Sequence, residues 1–364
     1  MTLHVAIAGW LLGAPSGANR RLLALLAHAG PLLQPGERLT VLHRPDFAPP
    51  QLEGVHWQPV AIPAGPSWRR ALAERRMLPA VLRALGATVL DHGLLPLPAV
   101  DVPACLLVHD LRAIDGLTRW PRWFAAAVLR RALARAAVVV APSAWTADRL
   151  RRLAPRAAVR VVPNGVDLPT STCPPPARPL PANGYLLHIG HLEPRKNLGI
   201  VLAALRALPP AARPELWLAG RDAGALRGLL ARGTGLAVRA LGVVGDDELS
   251  RLYQHARAVV VPSRHEGFGL AALEALAHGT RVLVSDAGAL PEVVGEAAAI
   301  LPWNDAAAWA RALAQTDDGR TAAERRARAA RFPWAGAATA LVAAWRAAAH
   351  AGRVRPGRSP AGRP

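Results

Sequence analysis

Short apolar runs alternate along the chain with longer segments in which apolar residues recur at helical spacing. Leu3 to Ala8, Leu39 to His43, Val55 to Val60, Thr88 to Leu90, Ala104 to Val108 and the Val138-Val-Val-Ala run read as strands. Ala18 to Ala29 and Ser67 to Leu85 read as helices, and Ser143 caps another. Strands that alternate with helices in this way predict a parallel sheet covered on both faces. The alternation breaks at Leu168 to Gly184, which holds six prolines and reads as a linker. It then resumes with a strand from Tyr185 to Ile189, a helix from Leu198, and strands around Leu216, Ala240 and Ala258. A length of 364 residues suits this two-domain plan. The expected organisation is an α/β domain over 1–167, the linker over 168–184 and a second α/β domain over 185–335. A closing helix over 336–349, returning toward the first domain, and a basic tail over 350–364 complete it.

One stretch carries the densest chemistry. The strand Ala258 to Val261 ends at Pro262, and an Ala- and Leu-rich helix runs from Leu270 toward Gly279. Gly267 and Gly269 sit where that helix begins, so backbone amides can approach a ligand at a helix end whose partial positive charge suits phosphate. Glu266 and Glu274 bracket the glycines. Ionised carboxylates only accept hydrogen bonds, often two at once, which fits the paired hydroxyls of ribose and hexose. Taken alone, the two acids are better explained as a solvated loop acid and a helix-surface acid; their neighbours decide otherwise.

Those neighbours are Ser263-Arg-His-Glu-Gly-Phe-Gly-Leu, Glu274-Ala-Leu-Ala-His-Gly-Thr-Arg-Val-Leu-Val-Ser-Asp and Gly288-Ala-Leu-Pro-Glu-Val-Val-Gly. Together they closely resemble the signature of glycosyltransferase family 4, also called the group 1 glycosyltransferases. The resemblance implies the GT-B architecture, two Rossmann-like domains with parallel sheets facing across a cleft. It also implies hexose transfer from a nucleotide-sugar donor with retention of configuration, to a glycan or lipid-linked acceptor. By the same resemblance, Arg195 and Lys196 in Gly190-His-Leu-Glu-Pro-Arg-Lys-Asn hold the donor diphosphate, Glu266 the sugar hydroxyls and Glu274 the ribose. Backbone groups at Gly267, Phe268, Gly269 and Leu270 meet phosphate, and those around Val243 and Val244 meet the base. His109, after Cys105-Leu-Leu-Val, lies near the reacting centre, and the loop bearing Gly13 and Gly17 faces acceptor or phosphate. Many relatives carry Arg directly after the first glycine of the lysine motif. His191 stands there instead, so either Arg195 supplies more of the charge or the donor belongs to a different subset.

Composition sharpens one residue and blurs the rest. Lys and Arg total 44 against 25 Asp and Glu, a net charge of +19. Such a balance favours anionic partners. The arginines are spread through apparent helices, however, and no nucleic-acid motif accompanies them, so no nucleic-acid partner is expected. Lys196 is the only lysine in a chain whose Arg, Ala, Pro and Gly reflect a GC-rich coding bias, which makes that lysine stand out. Trp68 beside Arg69 and Arg70, and Trp120-Pro-Arg-Trp-Phe, mix indoles with arginines, the residues that settle at a lipid headgroup boundary. An anionic membrane surface is therefore a candidate partner.

Two cysteines make no disulfide framework, and no apolar run reaches the ~20 residues that span a bilayer. The expected location is cytoplasmic, with the inner face of the cytoplasmic membrane as a docking place. No D-x-D pair occurs, and the family resemblance implies no metal and no cofactor beyond the donor. Three other readings stay open from the residues alone. A glycoside hydrolase would use the two acids without a phosphate seat, a nucleic-acid binder would use the charge, and a non-catalytic nucleotide-sugar-binding protein would keep the site without transfer.

Overall fold

The computed structural model describes residues 2–13, 16–117, 121–170, 172–176 and 178–354. The chain forms two compact units, Met1–Pro163 with Trp334–Pro364 and Asn164–Pro333. In the first, a seven-stranded sheet contains β1 (His4–Ala8), β2 (Arg38–His43), β3 (Val55–Pro59), β4 (Val89–His92), β5 (Ala104–Leu107), β6 (Val138–Ala141) and β7 (Val159–Val161). Its order is β3-β2-β1-β4-β5-β6-β7 and each pairing is parallel. The connecting helices are α1 (Gly17–Ala29), α2 (Ser67–Leu85), α3 (Arg122–Arg135) and α4 (Ala144–Leu153).

The second unit repeats the plan with β8 (Tyr185–Ile189), β9 (Glu215–Ala219), β10 (Val238–Gly242), β11 (Ala258–Val261), β12 (Val282–Ser285) and β13 (Ala299–Leu301), in the order β10-β9-β8-β11-β12-β13. Its helices are α5 (Leu198–Ala207), α6 (Leu226–Arg232), α7 (Asp246–His255), α8 (Leu270–Ala277), α9 (Leu290–Val294), α10 (Ala306–Ala314) and α11 (Ala322–Ala329). The central strands are buried on both faces, with Val259, Val260, Val282, Leu283 and Val284 all without exposure, which is why their sequence is apolar throughout rather than alternating.

In each sheet the chain builds outward on one side and then returns to build on the other. The direction reverses between β1 and β4 in the first unit and between β8 and β11 in the second. Loops leaving the carboxyl ends of those strands diverge and leave a crevice, the place where parallel α/β sheets bind ligands.

The last helix, α12 (Trp334–Val354), belongs to the first unit. Trp334, Ala337, Ala338, Leu341, Val342, Trp345 and Ala348 recur at helical spacing and are buried together with Leu25, Leu26, Val89 and Val140. The helix outruns the 336–349 span read from the sequence, because the Ala-rich residues after Trp345 continue both its propensity and its buried stripe. Residues 355–364 of the expected tail lie outside the described residues. The division between units falls at Pro163/Asn164, so the proline-rich segment 168–184 counts with the second unit.

Candidate active site

At the crevice of the second unit, the loop after β8 meets the loop after β11. The Lys196 ammonium donates to Glu266 Oε1 at 2.6 Å, and the Ser263 hydroxyl donates to the same oxygen at 2.8 Å. Arg195 lies 3.6 Å from Glu266 Oε2, donates from Nε to Glu193 at 2.6 Å and from Nη1 to the His265 carbonyl at 3.2 Å. The backbone adds a clamp between the loops, Arg264 N–H to the Arg195 carbonyl at 2.9 Å. Burial alone would raise the Glu266 carboxyl. The Lys196 and Arg195 charges, with hydrogen bonds from Lys196 and Ser263, outweigh it and bring the group down to about 2, so Glu266 is ionised at any working pH.

The loop is shaped by two glycines. Gly269 has φ +102°, in the left-handed region, and a Cβ there would come within 2.5 Å of Leu290 Cδ2. Gly288 lies so close to the Glu266 backbone that any side chain would displace it, while the Ala289 N–H donates to the Glu266 carbonyl at 3.0 Å. α8 starts at Gly269 with no side-chain cap, and α5 starts at Asn197 with none. α10 and α11 are capped by Asp305 and by a reciprocal Thr321–Glu324 pair. The Ala272 and Leu273 amides already donate to the Gly269 carbonyl, and no side chain caps the start of α8, which follows the Glu266 loop.

The other expected donor residues fall around this centre in different ways. Glu274 is on α8, half-buried, and its carboxylate accepts from the Tyr253 hydroxyl at 2.6 Å. Gly267 and Gly269 are buried in the loop and Leu270 is half-buried at the helix start. The Phe268 ring turns away into the core, edge-on to Phe332 at 5.8 Å, so only its backbone is available to a ligand. Val243 is 59% exposed after β10, and Val244 packs against the core. His191 lies 3.8 Å from Glu193, the carboxylate that also binds Arg195. Beneath the cluster, His188 on β8 is fully buried with Nδ1 3.0 Å from the Val260 carbonyl. Burial first, then the Lys196 charge, pulls it down to about 4 and keeps it neutral.

The crevice of the first unit is a pocket lined by Gly9, Asn19, Arg21, Asp91, His109 and Trp345, among others. His109 follows β5, and burial, with Arg21 and Arg112 nearby, pulls it down to about 3; it is a neutral imidazole. Trp345 of α12 donates to Asp91 Oδ2 at 2.5 Å, and Arg21 donates to the Val162 carbonyl at 3.3 Å. Asp91 and Arg21 are both buried and act on each other electrostatically. Gly13, at φ +94°, and Gly17, the first residue of α1, are exposed and do not line this pocket; Gly9 and Asn19 take that place. Thr118 to Trp120 lie outside the described residues, and α3 begins at Arg122.

Sequence reasoning missed Arg21, Asp91 and Trp345 in the first unit and Ser263, His188 and Tyr253 in the second. Tyr253 had a usable signal, being one of only two tyrosines in the chain. Arg21 had none, as one arginine among many.

Known proteins match both units. A family model described as Glycosyltransferase Family 4 matches residues 16–169, and one described as Glycosyl transferases group 1 matches 183–316. The chain is similar to O-antigen chain mannosyltransferase B of Escherichia coli, 38% identical over 174 residues, which covers 45% of this chain and 46% of that protein. The match thus spans about half the length of this curated relative. Among solved structures, sucrose-phosphate synthase from Thermosynechococcus elongatus superposes with a TM-score of 0.77 at 20% identity, covering 94% of this chain and 98% of that one. Anabaena HepE in complex with UDP and glucose gives 0.66 at 18% identity, covering 93% and 98%. These likenesses show the fold, which is GT-B. With one family model on each of two Rossmann-like units, the chain belongs to glycosyltransferase family 4, the group 1 glycosyltransferases.

Proposed function

We propose that the protein is a retaining glycosyltransferase that moves a hexose from a nucleoside-diphosphate sugar to a hydroxyl of a lipid-linked or polysaccharide acceptor. The observation that carries this reading is the Lys196–Glu266–Arg195 cluster beside the uncapped start of α8, at the crevice of the second sheet. The resting cluster is internally neutralised, with Glu193 and Glu266 set against Arg195 and Lys196. An arriving diphosphate shares the ammonium, and Glu266 turns its oxygens to the sugar hydroxyls. As the anomeric carbon–oxygen bond breaks, negative charge grows on the departing phosphate. Lys196, Arg195 and the loop amides are already in place to stabilise it. The acceptor hydroxyl attacks on the same face, the new glycosidic bond forms, and its proton passes to the departing phosphate. Neutral His109 is the first unit's candidate for the catalytic part that the family resemblance gives a histidine after this strand. Two built-in cations take the part a divalent metal plays at other diphosphate sites, so turnover persists in EDTA.

The mannosyltransferase named among the relatives makes GDP-mannose the first donor to try. On the first unit, Trp68 is 63% and Trp123 74% exposed, each the second residue of its helix. The parallel topology puts both helix starts at the same edge of the sheet as the pocket, and Arg69 lies over the Trp68 ring at 5.1 Å. This edge is read as the face that meets an anionic membrane. Among the described residues no helix is long and apolar enough to cross one.

The test is calorimetric titration with GDP, UDP, ADP and their hexose conjugates, followed by a transfer assay. Saturable binding of one nucleoside diphosphate, lost in Lys196→Met, is expected. Equal binding by the variant contradicts the assignment.

A further inference from the structure

Glu274 does not hold its position alone. The Tyr253 hydroxyl, from α7, donates to Glu274 Oε2 at 2.6 Å. Tyr253 is 1% exposed and its ring stacks on His278, with centroids 4.9 Å apart and planes 22° apart. Its carbonyl accepts from the Thr280 hydroxyl at 2.6 Å, and His278 Nδ1 lies 2.8 Å from the Glu274 carbonyl. Residues of α8 and the turn after it therefore hold the Tyr253 ring and backbone, and the Tyr253 hydroxyl in turn holds one oxygen of the Glu274 carboxylate. The phenol is held by its ring and its backbone, so its hydroxyl is a fixed donor.

A glutamate side chain has three rotatable bonds and loses considerable freedom when it is held. A carboxylate grips both hydroxyls of a vicinal diol only when its plane is fixed relative to the ring that carries them. A buried donor bonded to one oxygen supplies that constraint before the ligand arrives.

We propose that Tyr253 is a positioning residue: it orients the Glu274 carboxylate toward the 2′,3′-diol of the donor ribose and so sets the preference for ribonucleotides over deoxyribonucleotides. The inference rests on the reading of Glu274 as the ribose acceptor. Tyr253 touches no ligand and acts through Glu274. A tyrosine that only filled the core would affect stability and leave ribose discrimination alone.

The experiment compares calorimetric affinities of the full chain for GDP, UDP and ADP with those for their 2′-deoxy counterparts. For the preferred base, the wild type is expected to favour the ribo form by about tenfold or more, the range for a hydrogen bond to a charged group. Tyr253→Phe keeps the ring and its stacking, and is expected to cut that ratio to about threefold while affinity for the deoxy form stays the same. Glu274→Gln should give a similar loss. The double variant should lose little more, since the two residues act as one unit. A thermal melt confirms that each variant is folded. If Tyr253→Phe keeps the wild-type ratio, or the two losses simply add, the positioning role is overturned while the ribose reading of Glu274 stands. If the wild type does not distinguish ribo from deoxy forms, both are overturned.

Discussion

The two units share a sheet plan and place their charges differently at the same crevice. In the second unit, Lys196, Arg195 and Glu266 come from two loops and pair directly with one another. In the first, Arg21, Asp91 and His109 are closed in by Trp345, which reaches Asp91 across a sequence separation of 254 residues. An exchangeable ion pair suits a site that must accept and release a charged leaving group. Buried charges held by separate hydrogen bonds, Arg21 to the Val162 carbonyl and Asp91 from Trp345, cost stability when those bonds are broken. On the proposed function, the second crevice carries the leaving-group charge, and the first contributes His109 and the packing that holds it.

Substitutions on each side can break this contrast. The largest effect expected is on Lys196→Met, which removes the only ammonium side chain and should lower kcat/KM by about 10²–10³, the range for loss of one preorganised charge-stabilising donor. Because Lys196 is the leading cation that keeps the buried Glu266 ionised, the urea-unfolding midpoint should fall as well, by less than the loss of turnover. A large loss of stability with retained turnover would reverse the roles of the two crevices. Next comes Trp345→Ala, which empties a fully buried site and removes the donor to Asp91, and should cost about 3 kcal/mol in the unfolding transition of the first unit. Donor binding should be preserved. Binding lost in step with stability would show that the units do not divide the work as argued.

The pH dependence gives a smaller effect. His109 and His188 are held near 3 and 4 in the folded chain, below the ordinary histidine value of about 6.5. The unfolded chain therefore binds more protons between those values. Stability is full above about pH 6.5 and declines as pH falls toward 4, by about 1 kcal/mol per histidine at pH 5.5. Glu266 works in the same sense at lower pH, its contribution being full above about 4.5 and lost as pH falls through about 2. Urea melts at pH 7.5 and 5.5 should show the decline, and His188→Gln should lessen it. A stability flat from pH 7.5 to 5.5 would contradict the buried neutral histidines.

The same contrast explains what the sequence disclosed. Strands such as Val138 to Ala141 and 258–261 were legible because burial on both faces demands continuous apolar residues. The second crevice was legible because its chemistry sits in contiguous loops, so Glu266, the glycines and Lys196 appear in short motifs with few neighbours to confuse them. The first crevice draws single residues from α1, β4, the loop after β5 and α12. An Arg at 21, an Asp at 91 and a Trp at 345 have no local pattern that marks them as neighbours, and only the folded sheet brings them together. The glycines show the same limit: Gly13 and Gly17 stand out in their loop, whereas the pocket itself is lined by Gly9 and Asn19.

The most direct test is a crystal structure of the full chain with its preferred nucleoside diphosphate bound. The account predicts the terminal phosphate within hydrogen-bond distance of Lys196 Nζ and the amides at the start of α8, with the ribose diol on Glu274. A diphosphate seated elsewhere, with the Lys196–Glu266 pair undisturbed, would contradict it.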